Sequence, residues 1–355
     1  MTSETLADLL ETLVNTPSVT GNEAAIADWL GDRLARGGKG EVLRSGRSLV
    51  WRAPPRGRPM LVLAGHTDTV PAKGNERARR ENGRLYGVGA TDMKGGDAVM
   101  LSLIEALDPA AMRFDLVAVF YDGEEGSLET NGLKRLLQEM PWLRQARLAI
   151  LLEPTELRVE LGCSGALNVE VKVAGKSAHS ARPWTGVNAI ERAAPWLVEI
   201  TRFPVTPHAI HGVEYRETLQ VTLLSSGKTK NVVPDELVAN LNYRFPPDRT
   251  VAEAEARVRA LVPQEFGFQV VDAAPPGAVS SDRPEVREFI ERFGLGIAAK
   301  QGWTDVAQFT QAGIPAFNFG PGVPELCHVV DEFCPIENLE RAYRTLAEYL
   351  TTEGR

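Results

Sequence analysis

The chain has 355 residues, more than one hydrophobic core usually organises, so two domains are the default expectation. With 43% hydrophobic and 24% charged residues it has ordinary globular composition and can bury a sizeable core. A formal net charge of −8 argues against a nucleic-acid partner, which needs clustered Lys and Arg, and suits a protein that gathers carboxylates around cations.

The N-terminus carries acids at Glu4 and Asp8 and resembles neither a basic leader nor a signal-peptide core. The first helix follows from Leu6, Leu9, Leu10 and Leu13, spaced i, i+3, i+4, i+7 and stopped by Pro17. Ile26, Trp29, Leu30 and Leu34 predict a second amphipathic helix, capped by Asn22 and ended by Gly37 and Gly38. Continuous apolar runs at 60–64, 114–121 and 148–152 predict strands buried on both faces, with helices over 95–107 and 129–139 between them. Buried strands alternating with helices mean an α/β unit with a mostly parallel sheet. Such runs are too short to cross a bilayer, so no membrane partner is expected.

After about residue 164 the pattern changes. Leu167, Val169, Val171 and Val173 alternate with polar residues, marking a strand with one wet face. A helix over 186–200, strands over 219–224 and 237–245, a helix over 251–261 and a strand over 266–271 complete a β-α-β-β-α-β, ferredoxin-like order. Pro275, Pro276 and Gly277 read as the return linker, after which helix–strand alternation resumes over 305–312, 316–319 and 336–350. The expected organisation is therefore a domain of residues 1–164 and 277–355, with a second domain of residues 165–276 inserted into it. Three cysteines, Cys163, Cys327 and Cys334, give an odd count without framework spacing, which points to a reducing compartment and a cytoplasmic location.

Candidate chemistry collects where the buried strands should end. His66 and Asp68 follow the first run, Glu124 and Glu125 the second, and Glu153 the third. In open α/β sheets ligands bind outside the carboxyl ends of the strands. Asp92 lies in a Gly-rich turn before a helix, and His328 follows the last predicted strand. Two imidazoles and three carboxylates suit borderline metals, zinc foremost, with cobalt or manganese as alternatives. Five donors exceed one tetrahedral ion, but serve two ions ~3.5–4 Å apart that share a carboxylate. Of two adjacent Glu residues only one need be a ligand, which leaves the other for proton transfer. His208 and His211 read as surface residues of a loop, and Cys163 and Cys327 as thiols that a five-donor N/O set does not need.

Three segments resemble the co-catalytic zinc amidohydrolases, which include aminoacylases, acetylornithine deacetylases, glutamate-type carboxypeptidases and succinyl-diaminopimelate desuccinylases. Gly65-His66-Thr67-Asp68-Thr69-Val70-Pro71 resembles the family's first metal box. Gly89-Ala90-Thr91-Asp92-Met93-Lys94-Gly95-Gly96 resembles the bridging-Asp box, and Gly123-Glu124-Glu125-Gly126 the paired-Glu box. The resemblance implies two divalent ions bridged by Asp92, one completed by His66 and Glu153 and the other by Glu125 and His328. It makes Glu124 the general base and acid, and Asp68 the carboxylate that orients His66. It also implies that the inserted domain is a lid through which homodimers form, with His179 donating a hydrogen bond to the oxyanion in the partner's site.

Lid segments around His179 and Arg182, around Asn231 and around Arg244 are most similar to the desuccinylase branch. The resemblance thus implies a small acylated amino acid as substrate, N-succinyl-diaminopimelate first and acetylornithine or another acylated diamino acid as the alternative, with Arg244, Asn231 and Arg182 as substrate contacts. One departure is that Cys327, Val329 and Val330 flank His328, where a small residue and more polar ones are the family pattern. A non-catalytic metal-binding relative would have no use for Glu124. A nucleotide-binding flavodoxin-like domain is disfavoured because Gly87-Val88-Gly89 lacks the full glycine fingerprint.

Overall fold

A computed structural model describes residues 5–352 and divides into two compact units. The first comprises Met1–Gly162, Val279–Ala298 and Gln308–Arg355. At the centre of its sheet four strands run parallel in the order Asp115–Tyr121, Met60–His66, Leu148–Leu151 and Ala316–Asn318. Their apolar runs are buried on both faces because helices cover both sides of a parallel sheet. Antiparallel strands flank them: Ser48–Arg52 and Glu41–Ser45 at one side, Val159–Leu161 at the other. The sheet is thus mixed and mostly parallel at its centre, in an α/β fold.

Register sets where the chemistry begins. His66 lies opposite Tyr121 and Ala64 opposite Leu151, so three strands end almost flush and hand over to Thr67, Asp122 and Leu152 at one edge. The helix Gly95–Ala106 packs close by because Gly96 has no side chain; a Cβ there would sit 2.4 Å from the Leu152 carbonyl oxygen.

Some local expectations are corrected. Asn22 does not cap the second helix, Ala24–Gly37; its N-cap is Glu23, whose carboxylate accepts the Gly21 amide at 2.7 Å and pairs with Arg47 at 2.7 Å. The hairpin Glu41–Ser45 and Ser48–Arg52 and the helix Pro284–Phe293 add to the elements read from periodicity.

The second unit comprises Cys163–Ala278 and Ala299–Ala307. Its antiparallel sheet has the order Thr206–Ile210, Val213–Ser226, Glu236–Phe245, Gly165–Ala174 and Gly267–Ala274. Leu167, Val169, Val171 and Val173 turn one face inward against Ala189, Ala193 and Trp196 of the helix Ala189–Ile200 and Ala254 and Val258 of the helix Val251–Arg259. Asn188 caps the first helix and a Thr250–Glu253 capping box starts the second.

Two features of this unit differ from the sequence reading. Residues 206–210 form a strand instead of a loop, turned by His211 and Gly212 at positive φ, and His208 Nε2 lies 3.1 Å from the buried Glu217 carboxylate. His208 is therefore a partnered strand residue and not a free surface one. Residues 299–307 group with this unit because Gln301 exchanges hydrogen bonds with the Arg216 amide and the Glu214 carbonyl, and the Trp303 indole donates to the Pro275 carbonyl. Periodicity carries no record of such long-range bonds, so it places the whole of 277–355 in the other domain.

Candidate metal centre

His66 ends its strand almost fully buried. Its Nδ1–H donates to the main-chain oxygen of Asp68 at 3.0 Å, which turns Nε2 toward Asp92 Oδ1, 3.2 Å away. The Asp68 carboxylate stands farther from the ring, at 3.5 Å. Its oxygens also accept the amides of Glu124 at 3.0 Å and Glu125 at 3.1 Å and the Thr20 hydroxyl at 2.9 Å. Asp68 thus joins the His66 turn to the paired glutamates, orienting the imidazole mainly through its own carbonyl.

Asp92 sits at a kink in the segment Ala90–Lys94, where its backbone is extended, φ −122° and ψ 94°. Its Oδ1 faces His66, while its Oδ2 lies 3.5 Å from His328 Nε2, which also meets Glu125 Oε1 at 2.9 Å. Two groups of potential ligands result, His66 with Asp92 and Glu153, and Asp92 with Glu125 and His328; within each, one atom per residue lies within 4.8 Å of the others. Asp92 belongs to both. All five residues lie in the first unit.

The electrostatics fit a cation centre. Burial opposes charge on His66, yet Asp68 and Asp92 hold its pKa well above the ordinary imidazole range, with the Glu124 charge adding to the effect. Hydrogen bonds to Asp92 and Glu125 push His328 up to about 10. Burial would raise Asp68, but its bonds to His66 and to the Glu124 and Glu125 amides outweigh that and lower it. A cluster of acids that holds positive charge on two imidazoles is one that divalent ions can take over, and its N/O donors suit zinc, cobalt or manganese. Glu124 is half-buried beside this cluster and belongs to neither group of three.

His179, Arg182, Asn231 and Arg244 lie in the second unit. His179 and Asn231 are exposed neighbours, since His179 pairs with Val232 and the Ser180 amide donates to the Asn231 carbonyl at 3.0 Å. The exposed Arg182 follows, its amide donating to the His179 carbonyl at 2.7 Å. Arg244 is half-buried in the strand Glu236–Phe245, where its Nε donates to Asn242 Oδ1 at 3.1 Å and burial lowers its pKa. Cys163 is also in this unit, a buried thiol pushed up to about 11 by desolvation, which is a poor thiolate ligand.

Sequence reasoning missed two buried groups beneath the centre. Lys94 Nζ donates to the carbonyls of Leu13 at 2.9 Å and Thr16 at 3.0 Å, and burial lowers it to about 8. Glu332 accepts the amides of Thr91 at 3.0 Å and Asp92 at 3.2 Å, and burial raises it to about 7. Lys94 follows Asp92 by two residues and Glu332 follows His328 by four, but a residue that bonds main-chain groups leaves no spacing pattern.

Residues 62–352 match the family described as Peptidase family M20/M25/M40. The chain belongs to this family. It is 40% identical to a protein of Mycobacterium tuberculosis named putative succinyl-diaminopimelate desuccinylase, over 97% of each chain. Identity to the succinyl-diaminopimelate desuccinylase of Corynebacterium glutamicum is 36%, over 97% of this chain and 95% of the relative. An acetylornithine deacetylase of Myxococcus xanthus is 32% identical, over 82% of this chain and 79% of that one. In fold, the chain resembles a tripeptidase of Staphylococcus aureus, with a TM-score of 0.82 at 22% identity over 98% of this chain and 97% of that one. This M20/M25/M40 chain is accordingly a hydrolase.

Proposed function

We propose that this member of the M20/M25/M40 family adds water across the amide of N-succinyl-diaminopimelate, releasing succinate and diaminopimelate, with two divalent ions as cofactors. One observation carries the two-ion reading: the two oxygens of a single carboxylate, Asp92, face two different imidazoles, and each imidazole has its own further carboxylate. His66, Asp92 and Glu153 would hold one ion, and Asp92, Glu125 and His328 the other, zinc being the natural choice for this donor set and cobalt or manganese the alternatives. The names of the most similar desuccinylases support the substrate; the acetylornithine deacetylase, matched at lower identity, supports the alternative acyl diamino acid.

When bound, a pair of such ions acidifies water and polarises an amide carbonyl. Glu124 takes the proton of the attacking water and returns it to the departing amine nitrogen. Glu124 belongs to neither group of candidate ligands, which leaves its carboxylate for proton transfer. The presence of this second Glu favours an enzyme over a relative that only binds metal. His179 Nδ1 accepts the Ala181 amide at 3.1 Å, which puts the hydrogen of the neutral ring on Nε2, a donor suited to an oxyanion. Arg244 would bind a substrate carboxylate, with Asn231 and Arg182 as further contacts.

We read the second unit as a ferredoxin-like lid and dimerisation domain, with His179 serving the partner chain. Its strand Val213–Ser226 supports a homodimer. The neighbouring strand pairs only with 213–217, and beyond it Leu223 and Leu224 are 70% and 56% exposed, an apolar edge suited to a second copy. No helix among the described residues is long and apolar enough to cross a membrane. A cytoplasmic location is proposed on the cysteine count.

Metal analysis tests the two-ion reading. The native chain should hold two divalent ions. Asp92→Ala should lose both, whereas His66→Ala should mainly weaken one. Full activity after exhaustive chelation, at near-zero metal content, would refute it.

A further inference from the structure

We propose that Glu332 is a positioning residue that sets the bridging carboxylate of Asp92 against His328. This rests on the reading of the cluster as a two-ion centre. Glu332 is buried, and one carboxylate oxygen accepts the amides of both Thr91 and Asp92. Its own carbonyl accepts the Gly87 amide at 3.1 Å, so the residue grips the Gly-rich turn from side chain and main chain together.

The segment that carries His328 is clamped to the same turn at both ends. At one end the Thr91 hydroxyl accepts the Val323 amide at 2.9 Å; at the other it donates to the Phe333 carbonyl at 2.8 Å, next to Glu332. Between these clamps, His328 has φ +64°, a left-handed conformation that a non-Gly residue adopts only when its surroundings fix it. The outer ties are exposed: Lys73 Nζ donates to the His328 carbonyl at 3.0 Å and Asn75 to the Val329 carbonyl at 3.4 Å. The buried end of the loop is therefore the firm reference for His328, and Glu332 is the side chain that joins it to the Asp92 amide. Glu332 touches neither imidazole in the hydrogen bonds described, so it acts through the position of Asp92 and His328 and not as a ligand.

Calorimetric titration of metal-free protein with zinc chloride tests this. Native protein should show two binding events, and His328→Ala identifies which belongs to the Asp92–Glu125–His328 group. Glu332→Ala should weaken that event by roughly 10–100-fold, the scale of lost groups behind metal ligands, and the other event less. Glu332→Gln keeps an oxygen for the two amides and should recover most of the affinity. The metal-free variants should unfold near the native temperature. Native-like affinity in Glu332→Ala, equal weakening of both events, or a low unfolding temperature without rescue by Gln would each overturn the proposal. Native protein that binds no zinc would instead overturn the two-ion reading beneath it.

Discussion

At the scale of single residues, Glu124 and Glu125 are adjacent, but only Glu125 belongs to a group of candidate ligands. Both amides are held by Asp68, and Glu125 Oε1 meets His328 Nε2 at 2.9 Å. Glu124→Gln should keep its metal and lose turnover by roughly 10²–10⁴-fold, the usual range for general acid–base catalysis. Glu125→Gln should lose metal first; metal content measured beside kcat separates the two.

A second residue-scale test lies in the other unit. Burial alone would raise Glu217, but hydrogen bonds from Tyr243, Arg257 and Arg249 outweigh it and bring the carboxyl down to about 2. A depressed folded pKa stabilises above the unfolded value of ~4.3, and that stability is lost as pH falls toward 2. Glu217→Gln should cost about 1–2 kcal/mol at pH 7, discounted because Arg257 is 44% exposed, and should flatten the acid limb of stability against pH. Denaturant unfolding at several pH values measures both.

The five candidate ligands were legible because each is a metal-binding residue type at a strand end or a Gly-rich turn. Glu217 was not, because the three residues that hold its charge, Tyr243, Arg249 and Arg257, lie 26 to 40 residues away in the chain.

At the scale of elements, close approach of the helix Gly95–Ala106 to the end of the strand before Glu153 depends on Gly96. Gly96→Ala would put a Cβ 2.4 Å from the Leu152 oxygen and 2.6 Å from its Cβ. We expect a loss of about 1–3 kcal/mol from overpacking, and weaker zinc binding by the group that includes Glu153. Thermal unfolding and metal titration check the two parts separately. The buried parallel strands were readable from continuous apolar runs, and their bounds moved by only one or two residues. The hairpin strand Thr206–Ile210 was not, because alternating Thr206, His208 and Ile210 are only half-buried and one of its positions is Pro207. Its register comes from pairing with Val213–Ser226 and from the His211–Gly212 turn.

At the scale of the whole molecule, the apolar pattern changes from continuous to alternating near residue 164, and the second unit begins at Cys163. Its later return, residues 299–307, was hidden because it joins that unit through Gln301 and Trp303 hydrogen bonds and not through a strand of its own. On a chain of net charge −8, this unit also carries Arg244, Lys228 and Lys230, charges suited to a substrate with a carboxylate on its acyl group. The most direct test of the function compares kcat/KM of zinc-reconstituted protein for N-succinyl-diaminopimelate and for acetylornithine. The account predicts preference for the succinyl substrate by roughly tenfold or more, the scale of one charged hydrogen-bonded contact; preference for acetylornithine, or for any neutral acyl group, would contradict it.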